Sequence, residues 1–138
     1  MADTGGLLRA LARRPDGKAT WPDFEAALVS ALSVVVPSLV LAEVDYFLRD
    51  DRPAMRKLVA EILDPGTRYE LEHATPSDLA RALDLDARFG SLGLGLVDGV
   101  VAAVAERRRI HRVLTTDRSD FAALRIGERL QTAHVLVP

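Results

Sequence analysis

Cysteine is absent from the 138 residues, which excludes disulfides and thiolate-bound metals, cysteine-held zinc among them. Histidine is scarce. His73, His111 and His134 stand far apart without metal-ligand spacing, and each reads as a surface or strand-end residue. Only Lys18 and Lys57 among the 18 basic residues are lysine. Arginine is the better bidentate partner for phosphate, but GC-rich coding explains the same bias. The net charge of −2 offers no broad basic field of the kind that marks nucleic-acid binding. No run reaches the roughly 18 apolar residues of a membrane span. The start, MADTGGLLRALARR, lacks the apolar segment and small-residue cleavage site of a secretory signal. A cytoplasmic chain with no membrane contact is expected.

What is present is apolar: 49% of residues are hydrophobic, enough for one sizeable core, and no repeat or long linker divides the chain. A single domain over residues 1–138 is expected. Leu7, Leu8, Ala10, Leu11 and Ala12 form a short helical stripe that Pro15-Asp16-Gly17 breaks, and a second helix is expected from Trp21 to Leu32. Val34-Val35-Val36, ended by Pro37, reads as a buried strand, and Ser38 as the cap of the helix that carries Glu43. Arg52-Pro53 opens a helix, Tyr69 to Glu72 alternates like a strand, and Thr75-Pro76-Ser77-Asp78 is a strong helix start. Gly90 to Gly95 reads as a loop. Leu96 to Arg109 is a helix apolar nearly all round, hence central. Val113 to Thr116 is a strand, Phe121 to Ile126 a helical turn, and His134 to Val137 a last strand. Strands alternating with helices point to an α/β layer fold with a mostly parallel sheet, whose ligand sites lie beyond the C-terminal strand ends.

Acids occupy those ends. Asp3 precedes the first helix, Glu43 lies early in the helix after Val34–Val36, Asp98 opens the central helix, and Asp117 follows the strand at Val113, with Asp120 three residues later. Each has an ordinary reading: Asp3 and Asp98 as helix caps, Asp117 as a turn cap or a partner of Arg118, Glu43 as one helix acid among several. Together they would repel one another in apolar surroundings. A hard divalent cation relieves that repulsion, because Mg²⁺ and Mn²⁺ prefer carboxylate and water oxygens.

Four stretches in this order carry a resemblance: Asp3-Thr4 before a Leu-rich helix; Val36-Pro37-Ser38-Leu39-Val40-Leu41-Ala42-Glu43-Val44; Leu96-Val97-Asp98 leading to Ala105-Glu106; and Leu114-Thr115-Thr116-Asp117-Arg118-Ser119-Asp120-Phe121. Over essentially its full length the chain resembles the PIN-domain nucleases, and within them the VapC-type toxins of bacterial toxin–antitoxin systems. The resemblance implies a three-layer fold whose central, mostly parallel five-stranded sheet runs in the order 3-2-1-4-5 between helices. It implies Asp3, Glu43, Asp98 and Asp117 as catalytic, metal-holding acids, with Thr116 and Asp120 in secondary roles. It implies Mg²⁺ or Mn²⁺ as cofactor and hydrolysis of RNA phosphodiesters to 5′-phosphate and 3′-hydroxyl ends. It also implies a VapB-type antitoxin as partner and a homodimer. Arg9, Arg13, Arg49, Arg52 and Arg118 are candidates for contact with the RNA backbone.

One departure from the family pattern concerns Asp3. Relatives carry several apolar residues before the Asp-Thr pair, and here only Met1 and Ala2 precede it. The expectation is a clipped central strand or a start downstream of the natural one. Rival Mg²⁺-site proteins fit less well. A response-regulator receiver needs a late lysine that neither Lys18 nor Lys57 supplies, and a haloacid-dehalogenase-type phosphatase needs an Asp-x-Asp pair where Asp3-Thr4-Gly5 stands. The remaining alternative is a PIN-like module that no longer cuts and acts only in a DNA-bound regulatory complex with an antitoxin.

Overall fold

Two parallel strand pairs form, with valine in three of the four strands. The computed structural model describes residues 1–138. In it β1 (Val34–Pro37) pairs with β2 (Tyr69–Glu72), Val34 opposite Tyr69 and Pro37 opposite Glu72. β3 (Arg112–Leu114) pairs with β6 (Val135–Val137). β4 (Arg125–Ile126) and β5 (Thr132–Ala133) make a small antiparallel pair whose connection includes Gly127 at φ 90°. The α/β expectation holds. The single five-stranded sheet does not appear as such: the strands fall into three two-stranded sheets.

The first residues lie between the two parallel pairs. Ala2 donates its N–H to the Val35 carbonyl at 2.9 Å. On the other side the Leu114 N–H reaches the Met1 carbonyl at 2.9 Å, and the Asp3 N–H reaches the Leu114 carbonyl at 3.0 Å. Ala2 and Leu114 form an isolated parallel bridge. Helix α1 (Thr4–Leu11) begins directly afterwards, so Met1 to Asp3 offers too little extended chain for a full strand.

Helices α2 (Pro22–Ser30), α3 (Ser38–Phe47), α4 (Arg52–Leu63), α5 (Pro76–Arg88), α6 (Leu96–Arg108) and α7 (Arg118–Ala123) complete the chain, with a 3₁₀ turn at Gly90–Leu92. Their starts explain most of the boundaries. Thr75 accepts from the Asp78 N–H while the Asp78 carboxylate accepts from the Thr75 N–H, a reciprocal cap for α5. Asp51 caps α4 through the Ala54 N–H. Ser38 is not a cap: it is the first residue of α3, with Pro37 at the cap position, because the strand runs on through Pro37. The segment after Asp117 also differs from expectation. The helix spans Arg118–Ala123, and Arg125–Ile126 turns back into a strand.

Helix α6 is the centre of the core. Gly99 to Ala105 are all buried along it, as expected for a helix apolar on every face. It packs closely on α5: a Cβ at Gly99 would lie 2.9 Å from the Ala82 Cβ. Around its C-terminal end, ion pairs tie the layers together. Arg107 reaches the buried Asp78 at 2.9 Å and Glu72 at 2.6 Å, and Arg108 reaches Glu70 at 3.0 Å. Burial works against the Asp78 charge, but bonds from Arg107 and Thr75 outweigh it and hold this carboxyl below its ordinary range. Arg81 grips Glu106 with two bonds of 2.9 Å, and Glu106 also accepts the Gly127 N–H at 2.6 Å. The first turn of α6, where Asp98 sits, is thus carried by a helix fixed at its far end.

Candidate functional site

Four segments deliver acids to one end of the parallel strands. Asp3 sits where the N-terminal residues turn into α1 and is 4% exposed. Its Oδ2 accepts from the Thr115 hydroxyl at 2.7 Å, while its Oδ1 is buried without a partner. Glu43, in the second turn of α3, accepts from the Thr4 hydroxyl at 2.6 Å. Asp98 is the third residue of α6. Asp117 stands at the start of α7, and its backbone N–H donates to the Thr115 hydroxyl at 2.9 Å. None of these acids spends its side chain on a cap: Asp3 and Asp117 occupy cap positions without a side-chain cap bond, and Gly95 occupies the cap position of α6.

The four carboxylates share a pocket of about 380 Å³, lined also by Thr4, Gly5, Leu8, Arg9, Phe47 and Thr116. Asp120 joins from the side: oxygens of Asp98, Asp117 and Asp120 lie within 4.8 Å of one another. No histidine lines this pocket. His134 stands at a strand end, between β5 and β6, and is buried there. It is 7% exposed, edge-on to Phe121 with ring centroids 5.5 Å apart, and burial lowers its pKa to about 4. A larger hollow of about 500 Å³, lined mainly by apolar residues such as Leu28, Val34 and Ile110, contains no acid.

Crowding shows in the protonation of the acids. Burial, then the charges of Asp3, Asp117, Glu43 and Asp120, push Asp98 up to about 7. Burial also raises Asp3; the Thr115 hydroxyl and the nearby Thr4 backbone N–H oppose this, while Glu43 and Asp117 add to it. Asp120 is raised by partial burial and by Asp117. Without a counter-charge the pocket holds its acids at a cost. The donor set is all oxygen, and one buried carboxylate oxygen has no protein partner. Both features fit a hard divalent cation.

The sequence reading missed several residues. Thr115 and Thr4, not Thr116, supply the hydroxyls that bond acids; Thr116 lines the pocket against α1. A Cβ on Gly5 would come within 2.0 Å of the Thr116 Oγ1, and one on Gly6 within 2.1 Å of the Leu114 carbonyl oxygen. These two glycines let α1 approach the end of β3. The repeated small residues Thr4-Gly5-Gly6 after an acid were the available signal. Nothing in the sequence pointed to Phe47, which is exposed beside the acids.

The fold and pocket define an α/β protein with an acidic, oxygen-only centre at the strand ends. The sequence profile of the PIN domain matches residues 1–126, and the chain belongs to that family. It is 28% identical over 124 residues to Ribonuclease VapC26 of Mycobacterium tuberculosis (strain ATCC 25618 / H37Rv), a match that covers 89% of this chain and 90% of that protein. Among solved structures it resembles Mycobacterium tuberculosis VapC20, described as a Sarcin-Ricin loop cleaving toxin. The TM-score is 0.73 at 22% identity, over 88% of this chain and 92% of that one. The likeness to VapC20 is one of fold.

Proposed function

We propose that this chain, as a single PIN domain over residues 1–138, is a metal-dependent endoribonuclease toxin of the VapC type. It hydrolyses RNA phosphodiester bonds at the pocket of Asp3, Glu43, Asp98 and Asp117. The observation that carries this is the convergence of four acids from four segments on one pocket, with a buried Asp3 oxygen left unpartnered. Membership of the PIN family and similarity to a curated ribonuclease agree with it. In the finer sheet description, Met1 to Asp3 is the clipped middle strand of a sheet that runs β2, β1, Met1–Asp3, β3, β6, hydrogen-bonded to β1 on one side and β3 on the other.

The residues divide the work. The four acids would hold Mg²⁺ or Mn²⁺, with Asp120 within reach. The ion, when bound, offsets charge on the phosphate and makes water a better nucleophile. Thr115 fixes the Asp3 carboxylate and, through the Asp117 N–H, the turn into α7. Thr4 fixes Glu43. Burial and the neighbouring acids push Asp98 up to about 7, so it is only partly ionised near neutral pH in the metal-free pocket, and a bound cation would favour its ionised form. Leu8 and Phe47 supply the apolar part of the pocket wall.

A VapB-type antitoxin and a second copy of the chain are the expected protein partners, and the cytoplasm the expected location; no helix is long and apolar enough to cross a membrane. A silent PIN-like module would have no need of the full acid set. The test is a panel of Asp3→Asn, Glu43→Gln and Asp117→Asn on labelled RNA. Each should lose cleavage by orders of magnitude while melting near the parent temperature. Cleavage at the parent rate in all three would remove the pocket from the reaction.

A further inference from the structure

The wall of the acid pocket contains one cation. Arg9 stands one helical turn beyond Gly5 on α1, so both residues face the pocket. Its guanidinium pairs with none of the acids; two aromatic rings hold it instead. The Arg9 Cζ lies 4.3 Å from the Trp21 ring centroid and 5.3 Å from that of Phe24. Both rings belong to the first turn of α2 or the residue before it. The other arginines considered for RNA are engaged elsewhere. Arg13 pairs with Glu25 at 2.7 Å and Arg52 with Asp45 at 2.6 Å. Arg49 lies over Tyr46 and bonds its carbonyl, and Arg118 bonds the Pro138 carbonyl. None of these four lines the pocket.

A guanidinium held against ring faces by cation–π attraction keeps its N–H donors available for a ligand. The same hold also restricts a side chain that would otherwise lose much freedom on binding a ligand. A flat, pre-set donor fork beside four carboxylates calls for an anion that brings two oxygens and tolerates the acids close by. A phosphodiester does, because its neighbour can lie over the acid centre while Arg9 takes the next one. We propose that Arg9, held on the shelf of Trp21 and Phe24, grips a backbone phosphate of the RNA strand beside the bond being cut. The proposal rests on the ribonuclease reading above. It makes Arg9 a substrate-binding residue, and Trp21 and Phe24 positioning residues that act through it.

The experiment uses a fluorescein-labelled, mixed-sequence single-stranded RNA 12-mer. Binding is measured over a salt series in an Asp117→Asn background, and cleavage kinetics in the otherwise unaltered chain. The variants are Arg9→Ala, Arg9→Lys and Trp21→Leu, with Arg13→Ala as control and thermal melts for each. Arg9→Ala should weaken binding about tenfold or more. Its log-affinity against log-salt slope should flatten by about 0.7, the value for one lost phosphate contact on a single strand. In cleavage the loss should fall on KM rather than kcat. Arg9→Lys should restore the slope but not the affinity, since it keeps the charge and loses the fork. Trp21→Leu should weaken binding at an unchanged slope. If Arg9→Ala matches Arg13→Ala and the parent in affinity and slope while the parent binds and cuts, the proposal is wrong and the ribonuclease reading stands. Full affinity in Arg9→Lys would overturn the shelf-held fork. If the parent itself neither binds nor cuts RNA, both fall together.

Discussion

Replacing Asp98 with Asn separates a metal-site acid from an ordinary helix acid by the sign of the stability change. Asp98 titrates at about 7 in the metal-free fold against an ordinary value of 3.8. At about 1.4 kcal/mol per pKa unit this difference corresponds to roughly 4 kcal/mol. Solvent reaching the half-buried side chain screens part of it, leaving roughly 1–2 kcal/mol to be measured. A raised folded pKa contributes stability that is complete below the unfolded pKa and lost as pH rises through the folded one. Metal-free Asp98→Asn should therefore match the parent near pH 4 and exceed it by about 1–2 kcal/mol at pH 8, or a few degrees in Tm. His134 acts in the opposite sense. Its folded pKa is lowered, so stability is lost as pH falls from about 6.5 to about 4. Both the parent and the Asn variant carry it, so it cancels in the difference between them. Added Mg²⁺ should then reverse the order. A ligand at 100 times its Kd stabilises by about 2.7 kcal/mol, and the variant should gain little. The assay is thermal melting at pH 4, 6 and 8, with chelator and with Mg²⁺. If Asp98 only supports the helix dipole, Asn should instead cost roughly 0.3–1 kcal/mol at pH 8. That sign, with an undiminished Mg²⁺ shift, would refute the reasoning.

Other perturbations probe the scaffold. Gly6→Ala meets the backbone carbonyl of Leu114, which cannot swing away, and should cost roughly 2–3 kcal/mol in denaturant melts. Gly5→Ala meets the side chain of Thr116 instead, and pairing it with Thr116→Ala should recover stability that Gly6→Ala cannot regain this way. Removing Arg107 as Arg107→Ala leaves the Asp78 carboxylate buried and should destabilise by roughly 2 kcal/mol at pH 7, with the loss shrinking as pH falls through the Asp78 titration. His134→Leu should flatten the fall in stability between pH 6.5 and 4; an unchanged slope would mean that His134 is not the group being charged.

The succession of strands and helices was legible because the apolar periods are clean. Val34 to Val36, the Thr75–Asp78 start and the all-apolar stretch after Leu96 each specify one structure locally. What escaped depends on contacts between distant segments. The strand at Val113 was expected to reach Thr116 but stops at Leu114, because the Thr115 hydroxyl turns inward to Asp3 and to the Asp117 N–H. β4 and β5 are two residues each, too short for any alternation to show. The acids were legible as carboxylates at expected strand ends, and the resemblance to the PIN-domain nucleases singled out four of them. Thr4 and Thr115 were not, and Arg9 was one of five candidate arginines that only the fold separates, because a hydroxyl or an arginine acquires its role only from what folds against it.

The most direct measurement is cleavage of labelled RNA by protein stripped with chelator and then given back Mg²⁺ or Mn²⁺, with the product ends identified. Hydrolysis at the acid pocket should vanish in chelator, return with either ion, and leave 5′-phosphate and 3′-hydroxyl ends. Undiminished cleavage in excess chelator, or products ending in 2′,3′-cyclic phosphate, would contradict it.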